Sequence, residues 1–287
     1  MIKHLGVVGA GNMGTGIAQV AAIAGIDVAL YDINGTVLRQ GLERIKANFK
    51  GATDKGQLRQ EQTTEAFSRI HPRTRLAELS HSDIVVEAAI EDLRMKKDLF
   101  KHLEADTKPT TILASTTSSL SITAIASATR QPGKVIGLHF PDSPITSELV
   151  EIVRAQQTSP ETVQRAVEFS DQIHKSSVVV LDNPGFVVNR VSQSLNSEAL
   201  RVLGERVAEA EQIDRIVKTL GGFAAGPFES MDAVGLDVHL GATQTLYDHS
   251  FGDPRYRPHP LLRQMVDAGM TGEKAGRGFY TYTEEKK

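Results

Sequence analysis

Hydrophobic residues in the first two thirds of the chain form short continuous runs that alternate with runs at helical spacing. Leu5–Val8 predicts a buried strand, and the apolar residues after Gly14 recur at intervals of three and four, which predicts a helix. Val28–Tyr31 predicts the next strand. Further apolar runs, separated by helical patterns, predict strands at 84–87, 111–114, 135–138, 149–153 and 178–181. This alternation is typical of a parallel sheet covered by helices on both faces.

Residues 35–79 follow a helical pattern that is interrupted at 51–56. We expect a helical hairpin, which is too large for a simple crossover between strands and would form a lid or a substrate wall. Basic side chains surround the interruption, with acidic residues among them: Arg44, Lys46, Lys50, Lys55 and Arg59. For any one of these cations we expect a solvated surface position, and contact with an anionic group is the alternative.

The turn between the first strand and the first helix carries glycines with the spacing G-x-G-x-x-G. Gly9 would make the tight turn, Gly11 would let a pyrophosphate approach the backbone, and Gly14 would let the helix pack closely on the strand. The helix N-terminus at Asn12 and Met13 would offer backbone N–H groups to the phosphates. The motif therefore predicts a dinucleotide site, and the alternative is a strand–helix–strand unit without a nucleotide.

The second strand ends at Asp32, eighteen residues after Gly14, where an acid is expected to bind the adenosine ribose. A 2′-phosphate about 4 Å from this carboxylate would be repelled by up to ~4 kcal/mol at an effective dielectric constant near 20. The next residue is Ile33, and not an arginine that could accept the phosphate. We therefore predict NAD and not NADP as the cofactor.

A cluster of turn residues at 182–185 marks a change of pattern, and only helical patterns follow. We predict a Rossmann-type, doubly wound α/β domain at 1–182, with a mainly parallel sheet and the hairpin insertion. An all-α domain is predicted at 183–287. Its first helix carries an apolar stripe that suits either a core face or a helical dimer interface; the stripe comprises Val188, Val191, Leu195, Ala199 and Val202.

Composition excludes several classes of protein. Among 287 residues, 40% are hydrophobic and 23% are charged, which is ordinary for a globular protein. The net charge of −3 predicts no nucleic-acid partner, and the absence of cysteine excludes disulfides and cysteine metal sites; we predict no metal. No apolar run approaches the ~18 residues of a membrane helix, and no signal peptide pattern is present. We expect a cytoplasmic protein with a loose tail at 284–287.

His139 is the strongest candidate for chemistry, because it follows a sheet strand at the edge where a nicotinamide would lie. Glu151 follows twelve residues later, in or at the start of the next strand, and a strand–loop–strand excursion can bring a carboxylate back to an imidazole. Such a pair is a general base whose charged form the carboxylate stabilises. On this spacing alone, a structural histidine remains the favoured alternative.

Motifs along nearly the whole chain are similar to those of the L-3-hydroxyacyl-CoA dehydrogenases, including the bacterial 3-hydroxybutyryl-CoA dehydrogenases. Taken together these motifs are specific to that family. The matching stretches are GAGNMGTGIA at 9–18, VVEAAIEDL at 85–93, TSSLSI at 117–122, IGLHF at 136–140, LVE at 149–151, PGFVVNR at 184–190, GPF at 226–228, GLD at 235–237 and GRGFY at 276–280.

The resemblance implies a role for each matching residue. His139 would take the proton of the substrate 3-hydroxyl, Glu151 would stabilise the imidazolium, and hydride would pass to NAD. Ser118 and Asn189 would hold the substrate, and Ser118 would also lie beside the cofactor. The family's other cofactor contacts fall on Glu91, Lys96 and Asp142, and its lysines for the CoA phosphates are partly present as Lys50 and Lys55. A homodimer and an acyl-CoA substrate are implied as well.

The sequence departs from the family pattern beside the predicted reaction centre. Thr116 replaces the asparagine that precedes the Thr-Ser-Ser stretch, and Asp142 stands where an asparagine contacts the nicotinamide. An ionised aspartate cannot donate a hydrogen bond. The whole segment 141–148 differs, which keeps open the alternative of the same chemistry on a hydroxy acid or ring alcohol without CoA. A separate alternative is a dinucleotide-binding protein without catalytic activity, and the joint presence of His139, Glu151, Ser118 and Asn189 argues against it.

Overall fold

The computed structural model describes residues 1–282 of the chain, so the tail at 284–287 lies outside the described residues. The chain divides into two compact units, Met1–Phe186 and a second unit that begins at Val187. The boundary expected after residue 182 lies slightly before this division. Among residues 1–282, no helix combines the length and the apolar character that a membrane span requires.

The first unit is built on one eight-stranded sheet whose order is β3-β2-β1-β4-β5-β6-β7-β8. Its strands are β1 (His4–Val8), β2 (Asp27–Tyr31), β3 (Ile70–Arg73), β4 (Ile84–Glu87), β5 (Ile112–Ser115), β6 (Val135–His139), β7 (Leu149–Arg154) and β8 (Ser176–Leu181). Every neighbouring pair is parallel except β6 and β7, which are antiparallel. The predicted doubly wound, mainly parallel sheet is confirmed.

Helices cover both faces of this sheet and form two separate cores with it. They are α1 (Asn12–Ile23), α2 (Gly35–Asp54), α3 (Gln60–Ser68), α4 (Leu93–Asp106), α5 (Ile122–Ala126) and α6 (Pro160–Gln172). On one face Ile17, Phe49 and Phe169 are buried against the strands, and on the other Phe100 and Ile122 are buried. The central strands are therefore apolar on both sides, as their continuous hydrophobic runs indicate.

The helical hairpin insertion is confirmed, because α2 ends at Asp54 and α3 begins at Gln60. The helical pattern expected to continue to residue 79 is wrong at its end, where Ile70–Arg73 forms strand β3 at the sheet edge. A strand of four residues that contains a proline gives little alternation of polar and apolar residues. Proline is accepted there because an edge strand leaves one side of its backbone unpaired.

The second unit is helical, as expected. Its helices are α7 (Val188–Gly204), α8 (Ala210–Gly221), α9 (Pro227–Val234), α10 (Leu236–His249) and α11 (Pro260–Asp267). Its core includes the fully or almost fully buried Leu200, Phe228, Leu236 and Leu262. The apolar stripe of α7 is divided: Ala199 is buried in this core, whereas Val191 is 63% exposed.

Two buried aspartates connect the elements of the second unit. Asp214 accepts hydrogen bonds from the backbone N–H groups of Phe228 and Glu229 at the start of α9, both at 2.9 Å. Asp232 accepts from the backbone N–H groups of Phe279 and Tyr280 near the C-terminus, at 3.0 and 2.9 Å. These carboxylates hold the GPF and GRGFY stretches in place through hydrogen bonds to their backbone N–H groups.

Candidate active site

The glycine-rich turn has the shape that a dinucleotide requires. Gly9 has a φ of 101°, a conformation that L side chains rarely adopt. A Cβ atom on Gly14 would lie 1.9 Å from the Gly9 carbonyl oxygen, so only glycine allows α1 to pack on β1. A Cβ atom on Gly11 would meet nothing within 4 Å, which leaves open space before the α1 N-terminus at Asn12 and Met13. These residues fit a bound pyrophosphate.

Asp32 follows the last residue of β2, beside this turn. Its Oδ2 accepts a hydrogen bond from the Ala10 backbone N–H at 2.8 Å, and its Oδ1 accepts from the Asn34 N–H at 2.8 Å. Each carboxylate oxygen can accept a second hydrogen bond. The carboxylate is thus fixed by the backbone and keeps acceptor capacity for a ribose hydroxyl.

A network of buried charges lies at the carboxyl ends of β4 and β5. Glu87 is 0% exposed and accepts hydrogen bonds from Lys96 Nζ at 2.5 Å and Ser115 Oγ at 2.6 Å. Lys96 is 1% exposed and also lies 3.4 Å from a carboxylate oxygen of Glu91. Glu91 accepts further hydrogen bonds from the hydroxyls of Thr117 and Ser119. Lys96 is therefore held between two carboxylates.

The environment of Glu91 favours its ionised form. Burial alone would raise the pKa of its carboxyl group, but the Thr117 hydrogen bond and the positive charge of Lys96 outweigh burial. The net result is a pKa below the ordinary value for glutamate. Glu91 is consequently an anion with acceptor capacity at the edge of the sheet where ligands of this fold bind.

His139 and Glu151 form a buried pair at the same edge. The side-chain distance from His139 Nδ1 to Glu151 Oε2 is 2.6 Å, and the two residues are 4% and 1% exposed. They are direct partners in the antiparallel register of β6 and β7. The ring of Phe186 packs against the imidazole with centroids 5.5 Å apart, and Phe186 itself has a positive φ of 48°. The strand register and Phe186 together fix the orientation of the imidazole.

The remaining predicted contacts are placed as follows. Ser118 is exposed in the loop after β5, directly beside the hydroxyls that bind Glu91. Asp142 is exposed in the loop between β6 and β7. Asn189 is the second residue of α7 and belongs to the second unit. Their contacts with substrate or cofactor stay predictions.

The segment 141–148 is anchored at two points. Pro144 is buried and packs on α1, because a Cβ atom on Gly16 would lie 2.9 Å from Pro144 Cδ. Lys175 Nζ donates a hydrogen bond to the Ser147 carbonyl oxygen at 2.6 Å. Burial lowers the pKa of Lys175, although the charge of Glu148 opposes that change. The loop between β6 and β7 is therefore held against α1 at Pro144 and by Lys175 at Ser147.

The basic residues of the hairpin differ in their surroundings. Lys50 is 80% exposed and lies 3.5 Å from Asp54, and Lys55 is exposed at the end of α2. The expectation of a solvated position is wrong for Arg44, whose Nη2 donates to the Ala10 carbonyl oxygen at 2.8 Å.

Among residues 1–282, no three His, Asp or Glu side chains are grouped to hold a metal ion.

Two family profiles match the chain in succession. "3-Hydroxyacyl-CoA dehydrogenase, NAD binding domain" matches residues 4–183, and "3-hydroxyacyl-CoA dehydrogenase, C-terminal domain" matches residues 185–282. The chain belongs to the 3-hydroxyacyl-CoA dehydrogenase family. Its cofactor is NAD, and it is an oxidoreductase that acts on a CH–OH group.

Individual relatives support this membership over the full length. The chain is 42% identical over 284 residues to a probable 3-hydroxybutyryl-CoA dehydrogenase of Bacillus subtilis, covering 99% of each chain. It is 41% identical over 286 residues to a 3-hydroxybutyryl-CoA dehydrogenase of Bradyrhizobium diazoefficiens, covering 100% of this chain and 97% of the relative. The crystal structure of (S)-3-hydroxybutyryl-CoA dehydrogenase from Ralstonia eutropha superposes with a TM-score of 0.94 at 38% identity, covering 99% of this chain and 100% of that one.

Sequence reasoning did not assign roles to Glu87 or Phe186. Glu87 ends an apolar strand, and a charge in that position is the one available signal that it has a buried partner. Phe186 follows a glycine in a turn, and nothing in the local pattern places its ring on His139. Both contacts depend on residues that are distant in sequence or belong to another element.

Proposed function

We propose that the chain catalyses the NAD-dependent oxidation of an L-3-hydroxyacyl-CoA, of which 3-hydroxybutyryl-CoA is the type, to the 3-oxoacyl-CoA, or the reverse reaction. The observation that carries the proposal is the buried His139–Glu151 pair at the ligand-binding edge of the sheet. The names of the B. subtilis and R. eutropha relatives support the choice of substrate.

In this proposal His139 is the general base. We assign the imidazole proton to Nδ1, where it forms the hydrogen bond to Glu151, so that Nε2 presents a lone pair to the substrate hydroxyl. As the hydroxyl proton moves to Nε2, the adjacent carboxylate stabilises the imidazolium that forms. Bound NAD supplies the acceptor for the hydride that leaves C3. In the reverse direction, His139 returns the proton to the carbonyl oxygen.

Further polar residues, which the family resemblance indicates, would hold the substrate and the cofactor. We propose that Ser118 and Asn189 orient the 3-hydroxyl and that Glu91 and Lys96 lie beside the nicotinamide ribose, with Asp142 near the nicotinamide. Lys50 and Lys55 are exposed cations that would meet the phosphates of CoA. Lys50 shares its charge with Asp54, so we expect it to contribute less than Lys55.

We also propose that the enzyme is a homodimer assembled through its second unit. Large apolar side chains are exposed there, including Val191 at 63%, Ile216 at 55% and Leu220 at 84%. A subunit interface would remove these apolar side chains from water. Size-exclusion chromatography with light scattering should give twice the chain mass, and a monomer at assay concentration would contradict the proposal. The cytoplasmic location stays a prediction.

The decisive experiment measures NADH oxidation with acetoacetyl-CoA and, in parallel, with free acetoacetate. We expect rapid turnover of the thioester and at least about a hundredfold lower kcat/KM for the free acid, because the CoA portion supplies binding energy to the reaction. Equal rates with the two compounds would favour the alternative of a substrate without CoA. Turnover that neither CoA nor an acyl-CoA inhibits would favour the same alternative. Segment 141–148 favours that alternative because it departs from the family pattern beside His139.

A further inference from the structure

Arg44 lies on the face of α2 that packs against the glycine-rich turn. Its Nη2 donates to the Ala10 carbonyl oxygen at 2.8 Å, and its Nε lies 3.4 Å from Thr15 Oγ1. Thr15 is buried, and its hydroxyl donates to the Gly11 carbonyl oxygen at 2.8 Å. One guanidinium group therefore fixes the Ala10 carbonyl directly and the Gly11 carbonyl through Thr15.

The close approach of α2 to this turn is built into the helix. Gly41 is one turn before Arg44, and a Cβ atom there would lie 2.8 Å from the Ala10 carbonyl oxygen. One turn after Arg44, Asn48 Nδ2 donates to Gln19 Oε1 on α1 at 3.2 Å. Gly41, Arg44 and Asn48 share one helix face by their spacing. Contacts along this one face therefore join α2 to the glycine-rich turn and to α1.

Ala10 is held from its other side as well, because its backbone N–H donates to Asp32 Oδ2 at 2.8 Å. The described residues contain no cis peptide bond, and in a trans peptide the C=O and the following N–H point in opposite directions. Fixing the Ala10 carbonyl toward Arg44 therefore directs the Gly11 N–H away from α2. That N–H lies at the N-terminus of α1, where this class of turn binds phosphate.

We propose that Arg44 is a positioning residue for NAD binding. It holds the Ala10–Gly11 peptide in the orientation that meets the pyrophosphate, and it adds a positive charge behind the N-terminus of α1. A turn that is already ordered loses less conformational entropy when the dinucleotide binds. The inference concerns the NAD site alone, so it does not depend on the identity of the substrate.

The test compares Arg44→Met and Arg44→Lys with the unaltered protein, by titration of NADH fluorescence in the absence of substrate. Arg44→Met should raise the NADH Kd about tenfold, which corresponds to about 1.4 kcal/mol. Arg44→Lys should recover part of the affinity, because an ammonium group can reach Ala10 but cannot bridge to Thr15 at the same time. At saturating NADH, kcat should stay within about twofold, so the effect appears in KM for NADH.

Lys46→Met is the matched control, because it removes one positive charge from the same helix at a position that pairs with Glu43. Its NADH Kd should stay within about twofold of the unaltered value. If Arg44→Met and Lys46→Met weaken NADH equally, the effect is general electrostatics and the proposal is wrong. An unchanged NADH Kd in a folded Arg44→Met protein would overturn it as well.

Thr15→Val tests the second part of the contact without touching Arg44. We expect about a threefold rise in the NADH Kd, and a smaller effect when the same change is made in Arg44→Met, because the two residues act on one turn. Fully additive effects would contradict the relay through Thr15. Thermal unfolding of each apo protein verifies the fold. If Arg44→Met does not fold, Arg44→Lys and Thr15→Val decide the question, and normal NADH affinity in both would overturn the proposal.

Discussion

The two units both bury carboxylates, but the partners of those carboxylates differ. In the first unit, Glu87 binds the Lys96 ammonium and Glu151 binds the His139 imidazole. In the second unit, Asp214 and Asp232 accept from backbone N–H groups and from tyrosine hydroxyls. A side-chain base can gain or lose a proton, whereas a backbone amide cannot. The partner therefore distinguishes a carboxylate suited to chemistry from one that holds the fold.

The surroundings of Asp214 and Asp232 show the same difference from the carboxylates of the first unit. A Cβ atom on Gly226 would lie 2.2 Å from Asp214 Cγ, and one on Gly278 would lie 2.0 Å from Asp232 Oδ1. The backbone thus closes directly over each aspartate and leaves no space for a ligand. Burial, together with the hydrogen bond that the Tyr280 hydroxyl donates to Asp214, raises the pKa of that hydroxyl, so the tyrosine stays a neutral donor. These acids have a structural role.

The largest effect expected from this comparison is on catalysis. His139→Gln removes the proposed general base and should lower kcat about a thousandfold, within the ~10²–10⁴ range for such groups. The NADH Kd and the melting temperature should change little, since the side chain is similar in size. Steady-state kinetics and NADH titration measure the two quantities separately.

His102→Gln is the matched control, because His102 is exposed on α4 and should be replaceable without loss of activity. Retained turnover in His139→Gln would show that His139 is a structural residue after all. Glu151 would then be a structural carboxylate, as Asp214 and Asp232 are in the second unit.

The next effect is on stability. In the unaltered protein, the Tyr280 N–H and the Tyr282 hydroxyl both donate to Asp232 Oδ2. Asp232→Asn keeps one acceptor oxygen but places an NH₂ group against these two donors. The loss should be about 3 kcal/mol in the free energy of unfolding, measured by urea denaturation, because hydrogen bonds to a charged group are lost. NADH affinity should be unchanged. Asp248→Asn, which alters an exposed acid in the same unit, should cost less than about 0.5 kcal/mol.

The smallest effect concerns His239, a histidine of helix α10 in the second unit. Burial lowers the pKa of His239 from 6.5 to about 4, and within residues 1–282 its Nε2 has no hydrogen-bond partner. Because the folded form binds its proton more weakly, stability is present above pH 6.5 and is lost as the pH falls toward 4. Between pH 7 and pH 5 this group should cost about 2 kcal/mol.

His239→Gln should remove that part of the acid sensitivity, which is measured as the difference between urea unfolding at pH 7 and at pH 5. His102→Gln, a change at an exposed position of α4, is the control and should keep the full pH dependence. An identical pH dependence in His239→Gln and the unaltered protein would show that His239 is not buried as a neutral group.

Much of the first unit follows from local pattern. Continuous apolar runs gave the central strands, and the glycine spacing at Gly9 and Gly14 is required by a positive φ and a close contact that no side chain would allow. Strand β3 does not follow from local pattern, because four edge residues with a proline carry no periodicity. The contact of Arg44 does not follow from local pattern, because the nearby charged residues Glu43 and Lys46 are exposed, whereas the acceptor of Arg44 is a carbonyl 34 residues away.

The site divides in the same way. His139 could be proposed because it lies at the end of a strand, where the sheet topology predicts a ligand. Glu151 could be proposed because it lies in the next strand, which can bring a carboxylate back to the imidazole. Their pairing needed the antiparallel register of β6 and β7, which spacing alone does not fix. Asp214 and Asp232 carry no signal in the sequence, because an aspartate on a helix is ordinarily a surface residue. Only the folded chain shows that backbone amides surround them.

The register of β6 and β7 has a further consequence for how this enzyme can vary. His139 and Glu151 face each other because of main-chain hydrogen bonds, so the loop that joins their strands does not have to maintain the pair. Insertions or exchanges within 141–148 that preserve the anchors at Pro144 and Ser147 would leave the His139–Glu151 pair in place. Under the proposed function, this loop would be the place to introduce a new specificity without rebuilding the pair that transfers the proton.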